Sequence, residues 1–355
     1  MDTQARHGVF EAWIAFIGDI IARGGVSDII LTSWGRCTSR RNGQLQAVDM
    51  PVALRGEDPF AVFTSQLFSS ADTSDQGSQE AIISISDQRL RAVEIRCDHG
   101  MRGGREITLR VITEKIPSIQ DISFPSALVD RLVDNESGLM VLAGATGSGK
   151  STSIAAMLQE AALRKPMRII SIEDPIEYRF DDTRIGSIFT QRQLGRDSPD
   201  YVSALKRALR MNPDVIFVGE IRDTKVAEMV IEAASTGHRV LTTMHGGDPV
   251  TALRRLLSMA AAAGMPSPVD SLADCFEACV AQKLVSFGRE HSRVAIHEVL
   301  SRTTGVIGKL RQGLINSLSS DIETGRHAGM ITFKLSLALR QQEGKIPPGV
   351  PLPSV

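Results

Sequence analysis

Nine consecutive residues, Gly144-Ala145-Thr146-Gly147-Ser148-Gly149-Lys150-Ser151-Thr152, constrain this chain more than any other stretch. They fit G-x-x-x-x-G-K-[ST], the pattern of a phosphate-binding loop. The flanks agree with it. Gly138 to Ala143 is an apolar run that reads as a short buried strand, and Ser151 to Ala162 reads as a helix. In such a strand–loop–helix unit the glycines let the backbone wrap phosphates closely, while successive N–H groups and the helix N-terminus supply partial positive charge. Lys150 is expected to reach the β and γ phosphates and the Ser151 hydroxyl to hold Mg2+. The expected ligand is therefore a nucleoside triphosphate with Mg2+.

The surrounding pattern implies an α/β fold. Strands are expected at 139–143, 168–172, 215–219, 239–243 and 294–299, alternating with helices, which indicates a mostly parallel sheet. Residues 303–343 read as mainly helical, with breaks at Gly305, Gly313 and Gly325, and the Pro-rich stretch 346–355 reads as a flexible tail. Upstream the texture differs. An amphipathic helix is expected over 8–23, with Val9, Phe10, Trp13, Ile14, Phe16, Ile17, Ile20 and Ile21 on one broad core-facing side. Strands follow at 27–32, 81–86, 90–96 and 106–112, an Asn42-Gly43 turn signal lies between two extended segments, and 70–79 reads as a polar loop. We divide the chain into a small α+β domain (1–114), a linker (115–125), a nucleotide-binding α/β domain with a helical C-terminal part (126–345) and the tail.

Two strands of the second domain run into carboxylates. Arg168 to Ile172 leads to Glu173-Asp174-Pro175-Ile176-Glu177, and a carboxylate at the C-terminal end of such a strand stands where open α/β sheets bind ligands. Glu173 could polarise the water that attacks the γ-phosphate. Asp214 to Val218 leads through Gly219 to Glu220, as a Walker B strand does, and Glu220 would reach Mg2+ through water. Gly219 is read as giving that longer side chain room. Asp223 is expected to cap the helix 224–235, and Gly237 to end it. His238 and His245 flank the next strand; His245 falls on the same edge as Glu173 and Glu220 and could sense the γ-phosphate.

Composition narrows the partners. The formal net charge is −1, and only two Trp and two Tyr occur, so neither global charge nor a base-stacking platform speaks for nucleic acid. Among Cys37, Cys97, Cys275 and Cys279 no C-x-x-C pair exists, and the helical spacing of the last two does not make a zinc ribbon. The N-terminus does not open a signal peptide, and no run of about 18 apolar residues is present to span a membrane.

In order, the loop 144–152, Ile172 to Tyr178, Asn212 to Asp223 and Thr236 to His245 resemble the Walker A, Asp box, Walker B and His box of the type II/type IV secretion and pilus motor ATPases. The resemblance extends from about 25 to 345, through Val26 to Leu31, Arg110 to Ile112, Ile116-Pro117, Ala281 to Val285, Arg293 to Val299 and Gly329 to Thr332. It implies a PAS-like N-terminal domain, a RecA-like C-terminal domain and a homo-hexameric ring in the cytoplasm. The ring would associate peripherally with the bacterial inner membrane through secretion or pilus complex proteins, with no direct nucleic acid contact. It also implies that Glu173 is the catalytic carboxylate, Glu220 the Walker B residue and His245 the γ-phosphate sensor. Arginines of the N-terminal domain would complete the site, Arg96 and Arg110 being the best candidates; residues 97–106 look longer than the family's corresponding turn.

The four-cysteine zinc insertion of pilus-assembly and type II members is missing here. Gly305 to Arg311 replaces the Ala-Ile-Arg-Asn-Leu-Ile helix of retraction motors. These departures lean the expectation towards the type IVB secretion and conjugation ATPases, the DotB and conjugal TraJ kind. A pilus retraction ATPase is the alternative, and a RecA-like DNA helicase or translocase a more distant one.

Overall fold

A computed structural model describes residues 3–68, 78–85, 88–99, 102–112, 115–181, 186–288 and 292–353. The expected loop positions 70–77 and the strand position Ser86 lie outside them. The chain divides into two units, Met1–Glu114 and, in the main, Lys115–Gly288 with Ser292–Val355.

The first unit contains α1 (Thr3–Ala22), β1 (Val26–Thr32), β2 (Cys37–Arg41), β3 (Gln44–Val48), α2 (Glu57–Leu67), β4 (Ser78–Ile85), β5 (Gln88–His99) and β6 (Arg102–Ile112). Helical spacing in α1 puts Trp13, Ile17 and Ile20 into a core shared with Phe60 and Phe63 of α2 and with Ile29, Leu31, Leu90, Ile107 and Leu109 of the strands. The Trp13 ring stacks on Phe63 at 5.1 Å between centroids, and its N–H donates to the Pro59 carbonyl at 3.1 Å. All strand pairs are antiparallel, in the order β3-β2-β1-β6-β5-β4. Asn42 and Gly43, at φ 49° and 88°, make the tight β2–β3 turn, where both central residues require positive φ.

Two local expectations in this unit need correction. Ser78 and Gln79 belong to β4, not to the loop. The stretch 97–106 is mostly not a turn: β5 and β6 stay paired to His99 and Arg102, with Arg96 opposite Arg105 and Cys97 opposite Gly104. The ladder hydrogen bonds extend the hairpin outward.

The second unit runs α3 (Ser126–Asp134), β7 (Gly138–Ala143), α4 (Lys150–Arg164), β8 (Arg168–Glu173), β9 (Ile188–Gln193), α5 (Tyr201–Ala208), β10 (Val215–Val218), α6 (Thr224–Ser235), β11 (Arg239–Met244), α7 (Pro249–Ala262), α8 (Pro268–Cys275), β12 (Phe276–Phe287), β13 (Ser292–Ser301), α9 (Thr304–Arg311), α10 (Leu318–Thr324) and α11 (Phe333–Gln342). Its sheet has the order β13-β12-β7-β11-β10-β8-β9, parallel except for the β12–β13 pair. Every residue of β7, β10 and β11 is buried, as helices on both faces demand. The α/β architecture with a RecA-like second domain is thus present.

Two strands went unread. β9 is an edge strand whose residues are none of them fully buried, so its polar sequence carries no apolar signal. β12 is interrupted by Gln282 and Lys283, and its small residues Ala278, Cys279 and Ala281 suit a strand wedged between β7 and β13. This also removes the helical reading of the cysteine pair: Cys275 ends α8, whereas Cys279 lies in β12. Both thiols are buried, and burial pushes Cys275 up to about 12 and Cys279 higher still, as inert core thiols.

Three further stretches differ from expectation. Gly305 lies inside α9 and does not break it, because the Thr303 hydroxyl accepts from the Val306 N–H and caps the helix just ahead of it. Ile346, the first residue of the expected loose tail, is fully buried in the core beside α11, and Gln341 donates to the Pro347 and Val350 carbonyls. Ile116, Ile119 and Phe124, from the stretch read as a linker, are buried in the core of the second unit. Among the described residues no helix is long and apolar enough to cross a membrane.

Candidate active site

The parallel strands β7, β8, β10 and β11 deliver the sequence-marked residues to one sheet edge. The loop 144–149 follows β7, Glu173 ends β8, Glu220 stands two residues beyond β10, and His245 directly follows β11. Gly147 and Gly149 adopt φ 76° and 85°, and Gly149 is the residue before α4, so the helix N-terminus faces the loop. Lys150 folds back over the loop and donates to the Gly144 carbonyl at 2.8 Å and the Ala145 carbonyl at 3.0 Å. Burial pulls its pKa down, while Glu220 and Glu177 act in the opposite direction. The Ser148 hydroxyl is buried and has no hydrogen-bond partner among the described residues.

Glu173 is buried. The Ser171 hydroxyl donates to its Oε1 at 2.6 Å, and Gln191 Nε2 donates to the same oxygen at 3.3 Å. Desolvation pushes the carboxyl up to about 7, against the lowering effect of these two donors. A carboxyl poised near neutrality can take a proton from water in its ionised form. Gln191 also donates to the Tyr178 carbonyl at 2.7 Å, and the Tyr178 hydroxyl meets Thr152 Oγ1 at 2.8 Å, joining the acidic loop to α4.

Glu220 is held from two sides. Its Oε1 lies 2.9 Å from His245 Nε2, and its Oε2 accepts from Arg222 Nε at 2.6 Å. Gly219 serves the neighbouring backbone, not the Glu220 side chain: a Cβ there would stand 3.1 Å from the Ile172 carbonyl oxygen and 3.3 Å from Glu173 Cα. Its N–H donates to Ile172 O at 2.8 Å, which draws the two carboxylate-bearing ends together. Asp223 caps α6 through the Val226 N–H, and Gly237 follows the helix at φ 105°. His238 is structural, with Nδ1 3.2 Å from the Ala233 carbonyl.

Arg96 and Arg110 belong to the first unit. Arg110 Nε donates to Asp28 Oδ1 at 2.9 Å. Arg96 is exposed on β5, and its charge acts on Glu94. Sequence reading assigned no role to Ser171, Gln191, Arg222 or Gln282, although Arg222 and Gln282 fell inside quoted motifs; their work is side-chain hydrogen bonding, which leaves no periodic trace.

The arrangement is that of a P-loop NTPase of the RecA-like kind, and the comparisons define it further. The family described as type II/IV secretion system protein matches residues 63–313. The chain belongs to this superfamily of secretion and pilus motor ATPases. It is 34% identical over 273 residues to the uncharacterized protein YggR of Escherichia coli K12, covering 77% of this chain and 81% of that one. It is 32% identical over 235 residues to the type IV pilus retraction ATPase PilT of Pseudomonas aeruginosa, covering 66% and 67% of the two chains. A crystal structure of the pilus retraction motor PilT with bound ADP superposes with a TM-score of 0.77 at 28% identity, over 93% of each chain. The Legionella pneumophila ATPase DotB shares the fold, with a TM-score of 0.71 at 22% identity over 93% of this chain and 95% of that one.

Proposed function

We propose that this protein is a ring-forming, homo-hexameric ATPase whose turnover drives a type IV secretion or pilus machine from the cytoplasmic face of the inner membrane. The observation that carries this reading is the convergence of Lys150, Glu173 and the Glu220–His245 pair on one sheet edge. Residues 144–152 would cradle the phosphates of ATP. Lys150 would exchange the Gly144 and Ala145 carbonyls for phosphate oxygens, and Glu173 would accept a proton from the attacking water.

Ser151 and Glu220 would hold Mg2+, which supplies charge neutralisation at the phosphates when bound. The donor set fits this ion. A hydroxyl, phosphate oxygens and water backed by one carboxylate are what Mg2+ accepts, and the charge of Glu220 reaches Lys150, the residue before Ser151. Arg96 or Arg110 of a neighbouring subunit would complete the charge balance.

The type IVB and conjugative systems are one home for such a motor. Pilus retraction is the second reading, and a specific observation favours it: identity with PilT stays above 30% over two-thirds of the chain, whereas the likeness to DotB is one of fold. ATPase rate measured against protein concentration, with light scattering on the same samples, tests the ring. A rate per subunit that rises as hexamers form is expected. A fully active monomer would remove the ring motor, and hydrolysis stimulated by DNA with steep salt dependence would replace it with a translocase.

A further inference from the structure

Gln282 lies in the middle of β12, immediately after Ala281, which pairs with Ala143 at the end of the P-loop strand. Its side chain is buried, with hydrogen bonds at both the amide nitrogen and the amide oxygen. Nε2 donates to the Ser148 carbonyl at 2.7 Å. Oε1 accepts from the Ser153 hydroxyl at 2.7 Å and lies 3.1 Å from His297 Nε2. A carbonyl oxygen can only accept, so the Ser148 contact requires the amide nitrogen to face the loop. Oxygen Oε1 must then face Ser153 and His297, and His297 must carry its proton on Nε2. Burial keeps this imidazole neutral, pulling it down to about 3. The ring is steadied by Phe124, edge-on at 5.3 Å, and its backbone N–H donates to Ser336 Oγ at 3.0 Å.

The consequence falls on one peptide. The Ser148 carbonyl and the Gly149 N–H share a planar trans unit and point in opposite directions. Tying the carbonyl to Gln282 turns the Gly149 N–H away from β12. That N–H has no hydrogen-bond acceptor among the described residues. The loop is also pressed against this wall: a Cβ on Gly149 would stand 3.0 Å from Gln282 Nε2, and one on Gly144 2.8 Å from the Gln282 carbonyl oxygen.

We propose that Gln282, locked by His297 and Ser153, is a positioning residue that presets the Ser148–Gly149 peptide so that its N–H is offered to nucleotide phosphate before nucleotide arrives. This rests on the reading of 144–152 as the ATP phosphate loop. Preorganised donors bind an anion without first reorienting, and a loop free to rotate this peptide loses that advantage.

The test is direct binding of a fluorescent ADP analogue to the full chain, with melting of the ligand-free protein measured in parallel. Gln282→Leu is expected to weaken ADP on the order of tenfold, the scale of one lost hydrogen bond. Gln282→Glu should weaken it more, because a carboxylate oxygen then faces the Ser148 carbonyl. His297→Phe keeps the ring volume and should give a smaller loss in the same direction. That loss should vanish in the Gln282→Leu background, since His297 acts only through Gln282. In steady-state kinetics over a range of ATP concentrations the Gln282→Leu variant should raise KM more than it lowers kcat. A purely structural role would lower the melting temperature and leave ADP affinity unchanged; that result, in Gln282→Leu or, should that variant not fold, in His297→Phe, overturns the proposal. Equal ADP affinity of wild type and Lys150→Ala would instead overturn the phosphate-loop reading, and this proposal with it.

Discussion

His245 Nε2 and Glu220 Oε1 lie 2.9 Å apart, joining the residues that follow β11 and β10 across the sheet edge. The pair is braced from below, where the Ile221 N–H donates to the Thr243 carbonyl at 2.9 Å and the Thr243 hydroxyl to the Gly219 carbonyl at 2.6 Å. A histidine held on Glu220 can report on what that carboxylate engages. His245→Ala is therefore expected to lower turnover on the order of a hundredfold, with little change in ADP affinity. Steady-state kinetics beside ADP binding checks this; an equal loss in both would make His245 a binding residue.

Glu173→Gln should bind ATP and hydrolyse almost none of it, because the amide keeps the Ser171 and Gln191 contacts and cannot take a proton. The wild-type rate should rise as pH passes through about 7, where Glu173 ionises. Undiminished single-turnover hydrolysis by the variant would remove Glu173 as the base.

The same group makes a stability prediction of opposite sense. A carboxyl whose folded pKa is raised stabilises the fold below its unfolded value and loses that contribution as pH rises through about 7. Glu173→Gln should therefore raise the melting temperature at pH 8 relative to wild type, and less so at pH 5. The ceiling is about 3 kcal/mol from the size of the shift. Melting curves at the two pH values decide it.

Lys150→Ala removes the ammonium now bonded to the Gly144 and Ala145 carbonyls. Nucleotide affinity is expected to fall by at least tenfold, since hydrogen bonds to charged groups are among the stronger ones. Isothermal titration with ADP reads the loss.

Both arginines are exposed, but Arg110 is tied to the buried Asp28 within its own unit, and Arg96 lies on the extended β5. We expect Arg96→Ala to reduce ATPase activity without lowering the melting temperature, and Arg110→Ala to lower both. Mixing Arg96→Ala with Lys150→Ala subunits should restore part of the activity if the arginine acts in trans. Inactive mixtures would confine it to its own chain.

Much of the candidate site was legible because each of its parts is a short local pattern whose chemistry is strict. A phosphate loop needs glycines and a lysine at fixed offsets, and the buried strands β7, β8 and β10 carry largely apolar runs, the last two leading to Glu173 and Glu220, while β11, with Arg239, Thr242 and Thr243 among its six residues, leads to His245. The edge strand β9 and β12 were not legible, since β9 has only Ile188 and Phe189 before its polar residues and the short apolar run Ala278 to Ala281 of β12 is cut off by Gln282 and Lys283.

By itself the amino-acid order determined the α/β class, the loop 144–152, the carboxylates at the strand ends and the Asn42-Gly43 turn, each the result of local chemistry acting over a few residues. Only the tertiary structure decided that Gly219 is required by the approach of Ile172 and Glu173, that Gln191 orients Glu173, and that Gln282 and His297 brace Ser148 from 134 and more positions away. Those contacts join side chains brought together by sheet order, and sheet order is set by how the whole core packs, which no short window of sequence contains.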